Sequence, residues 1–157
     1  MNLYELRKIF PEFSIKIKEN DISYEDFIED LYKDLDRVIV EMESSRQYWQ
    51  FAHHNQNGED SMTDFIKVGL RLIGYDASHN EKTGGHVDLL VKKNDYRWIA
   101  EAKIYRDYQR LLGGFEQLCR YTSGNDNQRS GALLIYIYNS NAKKTMATMG
   151  SQIKARQ

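Results

Sequence analysis

The segment GGHVDLLVKKNDYRWIAEAKI, from Gly84 to Ile104, constrains this chain more than any other. It predicts two β-strands, about His86 to Lys92 and about Arg97 to Lys103, joined by a tight turn at Lys93-Asn94-Asp95-Tyr96. Side chains alternate across a strand, so His86, Asp88 and Leu90 share one face, as do Ile99, Glu101 and Lys103. Leu89, Val91, Trp98, Ala100 and Ala102 fall on the opposite side and can pack a core. Two carboxylates and an ammonium on one side of an apolar hairpin are costly if desolvated and unused. A divalent cation, an anionic substrate or both over that face would account for them.

The rest of the sequence sets the bounds. A chain of 157 residues fits one domain with a sizeable core. Cys119 is the only cysteine, which excludes an intrachain disulfide and fits a reducing compartment. The start, MNLYELRKIFPEF, lacks the apolar run of a signal peptide, and no later run could span a bilayer. A cytoplasmic protein without a membrane partner is the expectation. Net charge is −1 overall but unevenly distributed: residues 1–60 hold 7 Lys/Arg and 14 Asp/Glu, the remainder 15 and 9. The basic part contains the hairpin, where a polyanion could be attracted; an uneven solvated surface explains the same numbers.

Along the chain, Leu3–Phe10 predicts a short helix ending near Pro11. Ser23, with Asp26 three residues on, caps a long helix to about Phe51 whose stripe is Tyr24, Phe27, Ile28, Leu31, Leu35, Val38, Ile39 and Met42. FAHHNQNG then reads as a loop, and His53 and His54, being adjacent, make a poor metal pair. A helix from about Glu59 to Ile73 follows, capped by Asn57, with Met62, Phe65, Ile66, Gly69, Leu72 and Ile73 inward. Glu59 lies close to that stripe, although an acid in a first turn suits the helix dipole whatever it faces. A strand at Tyr75–Ser78 precedes the Gly84-Gly85 turn. After the hairpin, a helix from about Asp107 to Thr122 carries Tyr108, Leu111, Leu112, Phe115, Leu118, Cys119 and Thr122 on its core side. Arg110, Gly114, Gln117 and Tyr121 form a neighbouring stripe, suited to a phosphate backbone or to solvent. SGNDNQRSG is turn-forming, Ala132–Tyr138 predicts a buried strand, and the basic C-terminus predicts a helix. The expected class is α/β, a mixed sheet of about four strands flanked by helices. Its parts are an N-terminal helical extension (1–56), a core (57–140) and a C-terminal helix (141–157).

These residues carry a resemblance. Gly85-x-x-Asp88 followed by Glu101-Ala102-Lys103 resembles the signature of the PD-(D/E)XK nuclease superfamily, with Val87 in place of the proline. Glu59 matches an acid many members place on the preceding helix, and Gln117-Leu118-Cys119-Arg120-Tyr121 is similar to the Q-x-x-x-Y element of the RecB-like branch. The resemblance spans about Glu59 to Tyr138 and implies a restriction-endonuclease-like core. It also implies Mg²⁺ or Mn²⁺ held by Asp88, Glu101 and the Ala102 carbonyl with support from Glu59, and Lys103 as the group that activates water or stabilises charge. Gln117 and Tyr121 would position metal-site water or the backbone of a nucleic acid, most readily DNA. Arg110 and Arg120 are further expected substrate contacts, and His86 is either another or only a strand residue.

The chemistry fits independently. Hard oxygen ligands suit Mg²⁺ or Mn²⁺, and phosphodiester hydrolysis needs an activated water and charge neutralisation. The expected function is a metal-dependent endonuclease or exonuclease, in the manner of effectors of restriction, repair or anti-phage defence. A homodimer is compatible with it, and the chain's end shortly after the last helix raises the expectation of a longer protein or complex carrying a sensor or motor. Three alternatives stand beside it: an RNase, a non-catalytic nucleic-acid-binding or scaffold module on the same fold, and a plain ion-pair network among Asp88, Glu101 and Lys103.

Overall fold

The computed structural model describes residues 22–45, 58–82, 86–122, 126–138 and 141–155. The expected helix at Leu3–Phe10, the loop holding His53 and His54, the Asn57 cap and the Gly84-Gly85 turn lie outside these residues.

Helix α1, Tyr24–Ser44, starts where the sequence places it. The Ser23 hydroxyl accepts from the Asp26 amide at 3.1 Å, and the Asp26 carboxylate accepts from the Ser23 amide at 3.1 Å. This reciprocal cap satisfies two donors that a helix start leaves orphaned. The helix ends earlier than Phe51: Ser45 is its C-cap, and the Ser44 hydroxyl donates to the Glu41 carbonyl at 2.8 Å. A serine pair offers the backbone local partners that compete with helix continuation. Helix α2 spans Gly58–Ile73. Its buried line is Met62, Thr63, Ile66 and Leu70, which corrects the expected stripe at its far end, where Leu72 is 84% and Ile73 47% exposed. Leu72 lies about 200° around the helix from the buried Leu70, and Gly74, at φ +110°, ends the helix directly after Ile73.

Four strands follow the order β1-β2-β3-β4: Asp76–Lys82, His86–Lys93, Tyr96–Ile104 and Gly131–Tyr136. β1 runs four residues beyond the expected Ser78 because it pairs with β2 as far as Lys82 opposite His86; pairing overrides a sequence with little strand propensity. β2 and β3 form the expected hairpin, closed by Lys93 opposite Tyr96, with Asn94 at φ +54°, a conformation asparagine tolerates. β4 pairs parallel to β3, and helix α3, Tyr108–Tyr121, makes the crossover that a parallel pair requires. Helix α4, Ala142–Lys154, completes the described chain. The architecture is therefore α/β, a four-stranded mixed sheet flanked by helices, with a helix at the N-terminal side.

Helices α1 and α2 cover one sheet face. Phe27, Leu31, Met42, Met62, Ile66 and Leu70 pack there on Leu89, Val91, Trp98, Ala100 and Ala102. Helices α3 and α4 cover the other, where Leu118 meets Val87, Leu90 and Ile99, and Leu111 and Leu112 meet Met149. Cys119 departs from its expected place on the core side of α3 and is exposed. The buried line of α3 runs through Leu111, Leu112, Gly114 and Leu118 and does not extend to it. No described helix is long and apolar enough to cross a membrane.

Candidate active site

The site forms where the hairpin comes apart. β2 and β3 pair from Lys93–Tyr96 to Leu89–Ala100, and the ladder stops there. One residue further, the Asp88 carboxylate, not a backbone carbonyl, accepts the Ala102 amide proton at 2.7 Å. Beyond this splay, strict alternation fails: Val87 packs with Leu90 and Ile99 on the α3 side although it is one residue from Asp88. The opened end of the hairpin thus holds Asp88 beside the Glu101-Ala102-Lys103 edge of β3.

Four oxygen-bearing groups surround the Lys103 ammonium. Its Nζ lies 2.5 Å from Glu101 Oε1, 2.9 Å from the Ala102 carbonyl oxygen, 3.6 Å from Asp88 Oδ2 and 4.0 Å from Glu59 Oε1. Glu101 is only 1% exposed, and its second oxygen, Oε2, is buried without a hydrogen-bond partner. Burial pushes the Glu101 carboxyl above its ordinary range; the Lys103 hydrogen bond and charge oppose the rise, and the neighbouring Asp88 carboxylate adds to it by its charge and by the hydrogen bond that a shared proton would make. An isolated carboxylate oxygen in the interior costs roughly 1–3 kcal/mol, more when charged. With both carboxylates ionised, the ion pair with Lys103 leaves that oxygen unsatisfied.

Glu59 reaches this cluster from the first turn of α2. Its Oε2 accepts from the Ile104 amide at 2.7 Å and from Arg110 Nη2 at 3.0 Å. The turn is anchored from below, since the Thr63 hydroxyl donates to the Glu59 carbonyl at 2.8 Å and lies 3.0 Å from the Tyr136 hydroxyl of β4. Glu59 therefore ties α2 to β3 and α3, a task beyond the helix-dipole role that its position alone suggests. Arg110 is placed by the α3 cap, where the Asp107 carboxylate accepts the Arg110 amide at 2.9 Å.

The α3 stripe faces the hairpin along its length. Arg110 meets Glu59, Gly114 lies over the Lys103 stem, and Gln117 Nε2 donates to the His86 carbonyl over a long 3.4 Å. Tyr121 packs beside Val87, Leu90, Ile99 and Leu118, apart from the carboxylates. The His86 side chain is exposed, as is Arg120 on the last turn of α3, and neither joins the bonded cluster. The structure thus gathers Glu59, Asp88, Glu101, Ala102, Lys103 and Arg110, and leaves His86, Arg120 and Tyr121 at its margin. Sequence reasoning missed the Ile104 amide, Thr63 and Tyr136, which have no signal in a linear pattern because each acts through a backbone group or an anchor.

Among the described residues no group of three or more His, Cys, Asp or Glu side chains forms a ready-made cation cage. The donor set nevertheless suits a hard divalent ion. Mg²⁺ is commonly held by one or two carboxylates and keeps several waters, and here two carboxylates, one of them with a buried oxygen free of donors, and a carbonyl lie around one point. No protein-family model, curated protein or solved structure matches the chain.

Proposed function

We propose that this protein is a metal-dependent phosphodiesterase of the PD-(D/E)XK kind on a restriction-endonuclease-like fold, hydrolysing nucleic acid and foremost DNA. The observation that carries the reading is the unpartnered, buried Oε2 of Glu101 beside Asp88 at the splayed end of the hairpin. Element order supports it: a helix, a three-stranded antiparallel meander, a crossover helix and a parallel fourth strand. Asp88, Glu101 and the Ala102 carbonyl would hold Mg²⁺ or Mn²⁺, with Glu59 behind them. A divalent ion there supplies Lewis acidity and neutralises charge at the scissile phosphate.

The chain's own residues do the rest. Lys103 carries an ammonium within reach of both site carboxylates, so it can orient the attacking water and offset charge developing on phosphorus. Arg110 neutralises Glu59 and is 39% exposed, which leaves donors of its guanidinium open to a substrate phosphate. Glu59 holds the Ile104 amide and thereby the end of β3 from which Lys103 projects.

Incubation with plasmid, single-stranded DNA and RNA, each with Mg²⁺, Mn²⁺ or chelator, tests the reading. Cleavage of DNA with either metal and none in chelator is expected; undiminished cleavage in chelator would sink it, and cleavage of RNA alone would transfer it to an RNase. Glu59→Gln gives a second check. The amide oxygen can still accept from Ile104, so the melting temperature should move little, whereas loss of the charge opposite Lys103 and Arg110 should slow cleavage. A change in melting temperature alone would reduce Glu59 to a structural strut.

A further inference from the structure

Resting on that reading of the site, the surroundings of Lys103 assign a role to a residue without a side chain. α3 contains two consecutive glycines in its interior, Gly113 and Gly114, each unfavourable there relative to alanine. They are not equivalent. A Cβ on Gly113 would meet nothing within 4 Å, and the residue is exposed. A Cβ on Gly114 would lie 3.0 Å from Lys103 Cγ, 3.3 Å from Lys103 Cε and 3.0 Å from Leu133 Cδ1. Gly114 is buried, and neither glycine needs a left-handed backbone, so the requirement at Gly114 is for space and not conformation.

We infer that Gly114 is a positioning residue: its missing side chain forms the slot that carries the Lys103 stem under α3 and sets the ammonium among Glu101, Ala102 and Asp88. The distances to Cγ and Cε bracket most of the lysine stem, so a methyl at this point pushes on the side chain along its length. Both ends of that side chain are constrained. The backbone end belongs to β3, paired with Ile135 of β4, and the ammonium end is held at 2.5 Å by Glu101. The flexible middle is what gives way. The new methyl displaces it toward the carboxylates or out of the slot. Either way the stem gives by a few tenths of an ångström and the ammonium shifts with it, with no charged group altered. Nothing of this kind constrains Gly113, which makes that neighbour the internal control for helix propensity.

The test compares Gly113→Ala and Gly114→Ala in the full chain. Its first readout is the Lys103 side-chain resonance in a ¹⁵Nζ/¹³Cε-labelled sample, assigned by its loss in Lys103→Met. The second is steady-state cleavage of the substrate found active above. Both substitutions favour the helix, so a purely structural role predicts raised melting temperatures, an unmoved ¹⁵Nζ signal in both, and in Gly114→Ala only the ¹³Cε change that the nearby methyl itself causes. The inference predicts a shifted Lys103 ¹⁵Nζ resonance in Gly114→Ala alone, with kcat lower by several-fold, short of the ~10²-fold that a full ångström of misplacement costs, and KM nearly unchanged. A Lys103 ¹⁵Nζ signal in Gly114→Ala that coincides with the wild type overturns it. The resonance decides the matter even if the wild type cleaves nothing, so failure of the nuclease reading and failure of this inference remain distinct. If Gly114→Ala does not fold, Gly114→Ala/Leu133→Ala removes the other close contact and is judged by the same two outcomes.

Discussion

Lys103→Met is expected to leave the chain folded and able to bind a divalent cation while slowing hydrolysis by ~10²–10⁴-fold, the usual contribution of a positioned acid–base group. Methionine keeps much of the aliphatic stem that runs beneath Gly114 and removes the charge and its donors. The change separates two accounts of the cluster. With the ammonium gone, Glu101 stays buried beside Asp88 and both lose their cation, while Glu59 keeps only Arg110. Removing one partner of a buried pair costs about 3–5 kcal/mol. The variant should therefore melt lower than the wild type in chelator and gain more from added Mg²⁺, because a divalent ion then replaces both missing contacts. Thermal melts with and without metal, read beside turnover, measure this directly. Near-normal turnover with unchanged metal response would leave Lys103 as a counter-ion only.

The second large effect concerns the carboxylates. Asp88→Ala and Glu101→Ala should each abolish cleavage, yet they damage the fold differently. Asp88 is the acceptor for the Ala102 amide at the splay, so alanine leaves a buried donor unpaired at about 1–3 kcal/mol. Asp88→Asn keeps an oxygen for that amide and removes only the charge, which makes it the cleaner variant. Glu101→Gln should be neutral or stabilising, since it removes a desolvated charge from a site where one oxygen has no partner. A glutamine variant that melts no lower than the wild type but has lost activity is the signature of a residue kept for chemistry at the expense of stability. Activity retained in Glu101→Gln would contradict its role as a cation ligand.

Much of this was legible in the sequence, for identifiable reasons. The α1 stripe Tyr24, Phe27, Leu31, Leu35, Val38 and Met42 is buried as the helical period requires, and the Ser23–Asp26 cap forms. The two-residue period of the hairpin placed Leu89, Val91, Trp98, Ala100 and Ala102 in the core and Glu101 with Lys103 on one face. What escaped depends on partners distant in the chain. β1 extends to Lys82 because β2 pairs with it, Leu72 is exposed because α2 buries the side that carries Leu70, and Cys119 is exposed where its neighbour Leu118 is buried. At the site, spacing put these residues within reach of one another and left their bonding open. The bond from Ile104 to Glu59, the pairing of Glu59 with Arg110, and the slot over Lys103 arise only when α2, α3 and β3 come together.

A divalent cation is expected to bind between Asp88 and Glu101. Calorimetric titration of the wild type and of Asp88→Asn with Mn²⁺ tests it without assuming any substrate. Saturable binding by the wild type, lost or severely weakened in a folded Asp88→Asn, is the predicted result. No binding by the wild type, or equal binding by both proteins, would contradict it.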